Sequence, residues 1–284
     1  MSMKLMVTGC NGQLGKALYE LTKDDPAFEY VGSDVPELDI TDSEALNAYV
    51  RELKPDVIIN CAAATNVDGC EKDEDFAFKI NALGPRNLAV AAAVVDAKLV
   101  HISTDYVFPG DGNRPRTETD PVGPKSAYGR TKLAGEEFVK LFAGKWFIIR
   151  TAWLYGDGKN FVRTMLNLAQ TRDTISVVDD QLGNPTSAVE LARAILRLIP
   201  TGMYGLYHGT CEGICSWADF TEEIFRLKGV STKVIRISSE EYKKSFPDSA
   251  DRPSYSALDN RMFRLNLGYS SKEWKDALKE YLLG

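Results

Sequence analysis

Thr8-Gly9-Cys10-Asn11-Gly12-Gln13-Leu14-Gly15 is the stretch on which the fold turns. It follows a short apolar run at 5–8 and opens into an amphipathic stretch, so its three glycines lie at a strand-to-helix turn. Glycine there permits the tight turn, lets backbone approach an anionic group, and allows close packing of helix on strand. The unpaired N–H groups and partial positive charge of a helix start then meet phosphate oxygens. Glycines at such a turn can also serve backbone geometry alone, so the context carries the reading. Asp34 stands 19 residues after Gly15, just past a second apolar run, where a carboxylate accepts hydrogen bonds from ribose hydroxyls. An ordinary turn aspartate is the plain alternative. No arginine or lysine flanks Asp34, which favours NADH over NADPH because a 2′-phosphate finds no partner there.

Outward from the glycine loop, β-rich runs at 5–8, 30–33, 57–60, 99–103 and 146–150 alternate with helical spacing. Ala45, Leu46, Tyr49, Val50 and Leu53 form one such stripe, and Phe76, Ile80, Leu83 and Leu88 another. This alternation predicts α/β architecture: a Rossmann-like, doubly wound parallel sheet covered by helices. The cofactor-binding domain is placed at 1–150 and extended into parts of 160–200, because a helix at 161–169 and a strand at 175–178 fit either part. A smaller C-terminal α+β substrate lobe is placed at 151–284, with helices expected near 188–198, 217–227 and 272–282. Within the first domain, Asp39 and Ile40, at an expected helix start, can face an adenine. Ala62, Ala63, Ala64 and Thr65 offer small side chains beside a cofactor, or simply good packing.

Composition narrows the function classes. A chain of 284 residues makes one large domain or two ordinary ones. Its formal net charge of -6 and its lack of a Lys/Arg cluster argue against nucleic acid as a partner. There is no signal-like start and no run of about 18 apolar residues, so neither export nor a membrane partner is expected, and the cytoplasm is the expected compartment. Five cysteines form an odd set without disulfide-scaffold spacing, and only His101 and His208 could join Cys211 and Cys215 in a zinc site. Reduced thiols and no structural metal are expected.

Ser103-Thr104-Asp105-Tyr106-Val107-Phe108 ends a predicted strand, the edge where open α/β sheets place ligands. Tyr128-Gly129-Arg130-Thr131-Lys132 opens a helical stretch, with Tyr128 and Lys132 on one face at i and i+4. An ammonium near a phenol stabilises phenolate and lowers the tyrosine pKa, which suits Tyr128 to proton transfer. A lone Tyr-x-x-x-Lys recurs by chance on helix surfaces. Its weight comes from the glycine loop, the strand-end Ser-Thr and the Tyr-Lys pair appearing in order.

With these blocks in view, the sequence resembles the extended short-chain dehydrogenases and, within them, the dTDP-4-dehydrorhamnose reductases, over almost the whole chain. The resemblance also rests on Asn60 to Asp68, Leu133 to Glu136, Arg150 to Tyr155, Asn160-Phe161, and Asp179-Asp180-Gln181-Leu182-Gly183-Asn184-Pro185-Thr186. The Trp153 and Asp-Gln-x-Gly-x-Pro-Thr blocks are more particular to the reductases, whereas the glycine loop and the Ser103-Thr104 block are shared with sugar-nucleotide epimerases and dehydratases. The resemblance implies reduction of a 4-keto nucleotide sugar by NADPH or NADH. Tyr128 would protonate the C4 oxygen, Lys132 would hold the nicotinamide ribose and tune Tyr128, and Thr104 would hydrogen-bond near the carbonyl. Cofactor contacts would come from Gly9, Asn11, Gly12, Gln13, Leu14, Gly15, Asp34, Asp39, Ile40, Ala62, Ala63, Ala64, Thr65 and Ile102, besides Tyr128 and Lys132. Substrate contacts would come from Thr104, Asp105, Trp153 packed on the sugar, and Arg252 on the diphosphate. A core aromatic and a surface salt bridge are the plain alternatives for Trp153 and Arg252.

Some members of the family bind magnesium through acidic residues at a dimer contact. Glu190 matches one of those positions, but Gly15 stands where another carries a carboxylate, so magnesium stays an open alternative and the chain is expected as a monomer or homodimer. Two other functions stay open. One is an epimerase or dehydratase that regenerates its cofactor each turnover. The other is a non-catalytic regulatory subunit, since one subunit of methionine adenosyltransferase resembles this same reductase.

Overall fold

The computed structural model describes residues 2–284. Its first part runs β1 (Met3–Thr8), α1 (Gln13–Thr22), β2 (Phe28–Ser33), α2 (Ser43–Leu53), β3 (Val57–Asn60), α3 (Val67–Lys72), α4 (Glu74–Phe78), α5 (Gly84–Val94), β4 (Lys98–Thr104), α6 (Ala127–Phe142) and β5 (Trp146–Thr151). Shorter pieces follow: β6 (Leu154–Tyr155), α7 (Phe161–Ala169), β7 (Thr174–Val178), β8 (Leu182–Gly183), β9 (Thr186–Ser187), α8 (Ala188–Leu198), β10 (Gly205–His208), β11 (Cys215–Ser216), α9 (Trp217–Lys228), β12 (Lys233–Ile237), α10 (Ser239–Ser245), α11 (Arg261–Leu267) and α12 (Trp274–Leu283).

Six strands make one parallel sheet in the order β2-β1-β3-β4-β5-β10. The period of two along its strands feeds two helical layers. Leu5, Val7, Val57, Ile59, Phe147 and Ile149 pack on α1 and α8, whereas Met6, Ile58, Leu99 and Ile148 pack on α2, α5 and α6. Each of these strand residues is fully buried, and burying such a side chain contributes about 1.5–3 kcal/mol. A separate core joins β6, α7, β7, α9 and α12 around Tyr155, Val162, Ile175, Phe220 and Trp274. From β1 the chain turns outward to β2, then crosses to the other side of β1 for β3. The loops after β1 and β3 therefore diverge, leaving a crevice at the strands' C-terminal ends.

Three details differ from the pattern read in the sequence. The stripe at 76–88 is not one helix: α4 ends at Phe78, a π-helical turn spans Lys79–Leu83, and α5 starts with Pro85 in its first turn. The wide turn rotates the polar Asn81 inward, where it is fully buried and its side chain pairs with both backbone groups of Ala64. β7 does not enter the main sheet but pairs with β12, and the sixth sheet strand is β10, from beyond the 160–200 stretch. Four residues with a glycine at their head give β10 too little apolar pattern to be read as a strand.

Candidate active site

The crevice begins at the glycine loop. Gly9 has φ +68, and a Cβ on it would lie 2.7 Å from the Ala62 backbone nitrogen, so the loops after β1 and β3 touch. Gly12 precedes α1 as its N-cap and brings no side-chain cap, and the first turn holds no acidic residue, so the first N–H groups of α1 stay open to an anion. Gly15 serves packing: a Cβ there would lie 2.5 Å from the Cα of Cys10, and the Tyr30 hydroxyl donates to the Gly15 carbonyl at 3.0 Å. Asp34, at the end of β2, accepts from the N–H of Asn11 at 3.1 Å and of Val35 at 3.0 Å, which fixes its carboxylate at the loop. This cradle fits a dinucleotide.

One arm of the crevice is lined by Gly9, Gly12, Asp34, Asp39, Ile40, Ala62 and Ala63. Asp39 and Ile40 sit in the turn before α2 rather than in the helix, and Asp39 accepts from Thr41. Lys79, from the π-helical turn, lines the same arm. It is remote from Asp34 in sequence, which is why reading the residues flanking Asp34 missed it. The arm opens into a cleft of about 640 Å³, whose lining includes Asn11, Gln13, Leu14, Ala63, Thr65, Ile102, Thr104, Asp105, Tyr128, Lys132 and Trp153. Ala64 lines neither part; its backbone is held by Asn81.

The chemical end is set by the start of α6. Ser126 caps it by accepting from the Gly129 N–H at 3.1 Å, and the Ala127 N–H donates to Glu71 at 2.6 Å. A Cβ on Gly129 would lie 2.3 Å from the Tyr106 carbonyl oxygen, so only glycine lets α6 approach the turn at 105–107 this closely. That approach brings Tyr128 and Lys132 to the cleft beside Thr104. The Thr104 hydroxyl accepts from the Tyr106 N–H at 3.2 Å and donates to Asp105 Oδ1 at 2.9 Å. Asp105 Oδ2 is buried without a partner. Burial pushes the Asp105 carboxyl up to about 6, against the hydroxyls of Ser256 and Thr104, which favour its charge.

Lys132 is 2% exposed and its Nζ donates to the Ile102 carbonyl at 2.5 Å. Burial brings its ammonium down to about 8, opposed by Glu136. The expected lowering of the Tyr128 pKa by Lys132 does not appear: burial pushes the phenol up, and the Thr104 hydroxyl is the group that works in the other direction. The ammonium is turned to the Ile102 carbonyl, and desolvation of the phenolate is the largest influence on the phenol. Beneath Lys132, Glu136 accepts from Ser103 at 2.6 Å and from Arg150 Nε and Nη2 at 2.8 and 2.7 Å, with both charged residues buried.

At the far side of the cleft, Trp153 has φ +48 and stacks on Trp217 with ring centres 3.5 Å apart and planes 7° from parallel. Trp217 also lines the cleft, and the sequence reading took it only as a helix start. Ser216-Trp217-Ala218-Asp219 carries a capping-box pattern, which fixes where the tryptophan begins a helix but not where its ring points. Arg252 lies in an adjoining cavity of about 220 Å³ with Lys125 and Ser126; Tyr106 lines both spaces. Its guanidinium donates to Asp68 at 3.3 Å and to the Ala250 carbonyl at 3.3 Å. Glu190 is brought to none of these spaces: it is buried in α8, paired with Arg193 and accepting from the Lys272 N–H. Among the described residues no group of three or more His, Cys, Asp or Glu side chains is arranged to hold a metal ion.

The family described as RmlD substrate binding domain matches residues 3–283. The spore coat polysaccharide biosynthesis protein SpsK of Bacillus subtilis is 40% identical, over 98% of this chain and 96% of its own. A crystal structure of a dTDP-4-dehydrorhamnose reductase from Clostridium acetobutylicum is 54% identical, with a TM-score of 0.95 over 99% of this chain and 98% of that one. The dTDP-4-dehydrorhamnose reductase of Bacillus anthracis, solved in complex with NADP, is 43% identical, with a TM-score of 0.95 over 100% and 99%. Matched from its first strand to its last helix, the chain belongs to the RmlD substrate binding domain family, that of the dTDP-4-dehydrorhamnose reductases.

Proposed function

We propose that this chain is an NAD(P)-dependent oxidoreductase that reduces the C4 keto group of dTDP-4-dehydro-L-rhamnose to give dTDP-L-rhamnose. The observation that carries the reading is the meeting of Tyr128, Lys132 and Thr104 in one cleft with the glycine cradle. A bound nicotinamide supplies a hydride to the carbonyl carbon. Tyr128, a phenol protonated at neutral pH and pushed further up by burial, starts as an acid, and its hydroxyl proton goes to the C4 oxygen as that oxygen gains charge. Thr104 hydrogen-bonds the same oxygen. Lys132, at about 8, is mostly protonated at neutral pH and steadies the phenolate left behind, besides holding the nicotinamide ribose. Asp105 and Trp153 hold the sugar, and Arg252 faces the diphosphate, a guanidinium being matched to phosphate oxygens.

Asp34 accepts the adenosine ribose hydroxyls and favours NADH. Lys79 on the same arm supplies a cation for a 2′-phosphate, so NADPH is also a donor. Residues 1–150, with parts of 160–200, act as the cofactor-binding domain, and 151–284 as the substrate lobe that also contributes β10 to the sheet. The chain works in the cytoplasm as a monomer or homodimer on a small nucleotide sugar, with no nucleic acid partner. Among the described residues no helix is long and apolar enough to cross a membrane.

The test is an absorbance assay of the purified protein with dTDP-4-dehydro-L-rhamnose and each nicotinamide cofactor. Net oxidation of NADH or NADPH is expected. Turnover of a nucleotide sugar with no net absorbance change would instead identify an epimerase or dehydratase. Capture of a stoichiometric partner, with no activity on any 4-keto sugar nucleotide, would identify a non-catalytic subunit.

A further inference from the structure

Trp153 is held in a conformation that a tryptophan seldom adopts. Its φ of +48 lies in the left-handed region, sparsely populated for bulky side chains and kept only where surroundings enforce it. Two neighbours do so here. A Cβ on Gly183 would lie 2.6 Å from Trp153 Cε2, so β8 offers bare backbone to the indole. Trp217 covers one ring face at 3.5 Å.

Trp217 is itself fixed. Ser216 and Asp219 cap α9 reciprocally, the Ser216 hydroxyl donates to Asp179 at 2.7 Å, and Cys215 pairs with Gly183 across the β8–β11 ribbon. Phe161 packs on the Trp217 ring at 4.4 Å. One short ribbon, with the helix it leads into, thus carries both the gap that admits the Trp153 indole and the ring stacked on it. Both indoles line the cleft that contains Tyr128, and neither lines the arm holding Asp34.

We propose that Trp217 is a positioning residue for the sugar end of the substrate: its indole holds Trp153 in the left-handed conformation, and the two rings form the apolar wall on which the hexose rests. The inference rests on the reading of this cleft as a sugar-nucleotide site. Removing Trp217 releases Trp153 and loosens the sugar while leaving the cofactor arm as it was.

The test compares Trp217→Leu, Trp217→Phe and Trp153→Phe with the wild type. Far-ultraviolet circular dichroism reads the exciton couplet of stacked indoles, which is expected in the wild type and absent from all three variants. In Trp217→Leu the KM for dTDP-4-dehydro-L-rhamnose should rise about five- to tenfold, the worth of an aromatic pair. The KM for NADH should stay within about twofold, as for a distant independent site. Trp217→Phe, which keeps a stacking ring, should recover most of the loss and serves if the leucine variant does not fold. A wild type without the couplet, an unchanged sugar KM in Trp217→Leu, or sugar and cofactor KM rising together would each overturn the proposal. Titration with dTDP-L-rhamnose separates it from the reductase reading. A wild type that binds this ligand without reducing the keto sugar, while Trp217→Leu binds it five- to tenfold less tightly (about 1 kcal/mol,), keeps the wall and rejects the reductase. A wild type that does neither rejects both.

Discussion

Tyr128 and Lys132 lie one helical turn apart, and burial acts on them oppositely: it raises the phenol and lowers the ammonium to about 8. A protonated phenol suits reduction, so Tyr128→Phe should cut turnover by about 10²- to 10⁴-fold, the usual worth of a positioned acid, while NADH still binds. Steady-state rates with a fluorescence titration of NADH check this; near-normal turnover would remove the assigned role. Asp105 gives a different signal. Its carboxyl sits at about 6 in the native state, against an ordinary value of 3.8. The raised value means that the native state favours the protonated form. Its contribution is fully present below the unfolded value and is lost as pH rises through the native one. Asp105→Asn lacks this titration, so the variant should gain about 2–3 kcal/mol relative to wild type between about pH 4 and pH 6.5. Urea unfolding of both proteins across that range measures it, and a difference that stays constant with pH would show that Asp105 is not so perturbed.

Among the elements, the loop between β1 and α1 has the least freedom. Gly9 needs both a left-handed backbone and room against Ala62, so Gly9→Ala should cost about 2–4 kcal/mol from the αL penalty and overpacking together. Thermal unfolding should show that loss and NADH titration a matching loss of affinity; a variant that binds NADH normally would mean that the two loops need not touch. This element was legible in the sequence because glycine spacing states a backbone requirement directly. The buried strands were legible too, since Val57–Asn60 and its neighbours are short apolar runs between turns. What escaped was whatever depends on distant contact. β10 is a strand because β5 offers it an edge, and Asn81 turns inward because Ala64 presents an open N–H and carbonyl. Lys79 reaches the Asp34 arm through the same π-helical turn. Tyr128, Lys132 and Thr104 were named from the sequence, but the direction of the Tyr128 shift was not, because burial is a property of the folded surroundings rather than of spacing.

Across the whole molecule, one buried ion pair links the sheet to the helix that carries the chemistry. Arg150 on β5 and Glu136 on α6 are 2% and 0% exposed, and Ser103 of β4 joins them. Arg150 also lies over the Phe108 ring at 5.0 Å, and burial, joined by the Arg150 charge, holds His208 of β10 down to about 3. Three elements, β4, β5 and α6, thus meet at one charge pair, and His208 of β10 feels its charge. Removing one partner leaves the other buried without a counter-charge, which costs about 3–5 kcal/mol, whereas replacing both with apolar residues of similar size is often neutral. Glu136→Gln should therefore be strongly destabilised in urea, and Glu136→Leu combined with Arg150→Met should recover most of that loss. The active site adds a second signature. Glu136 raises the Lys132 pKa against burial, so both variants should bring the ammonium below about 8 and shift the alkaline limb of the rate profile to lower pH. The double variant decides between a purely structural pair and one that also tunes the site. Regained stability with a displaced limb supports tuning; regained stability with the limb unmoved would show that Glu136 holds the fold together and does nothing for Lys132.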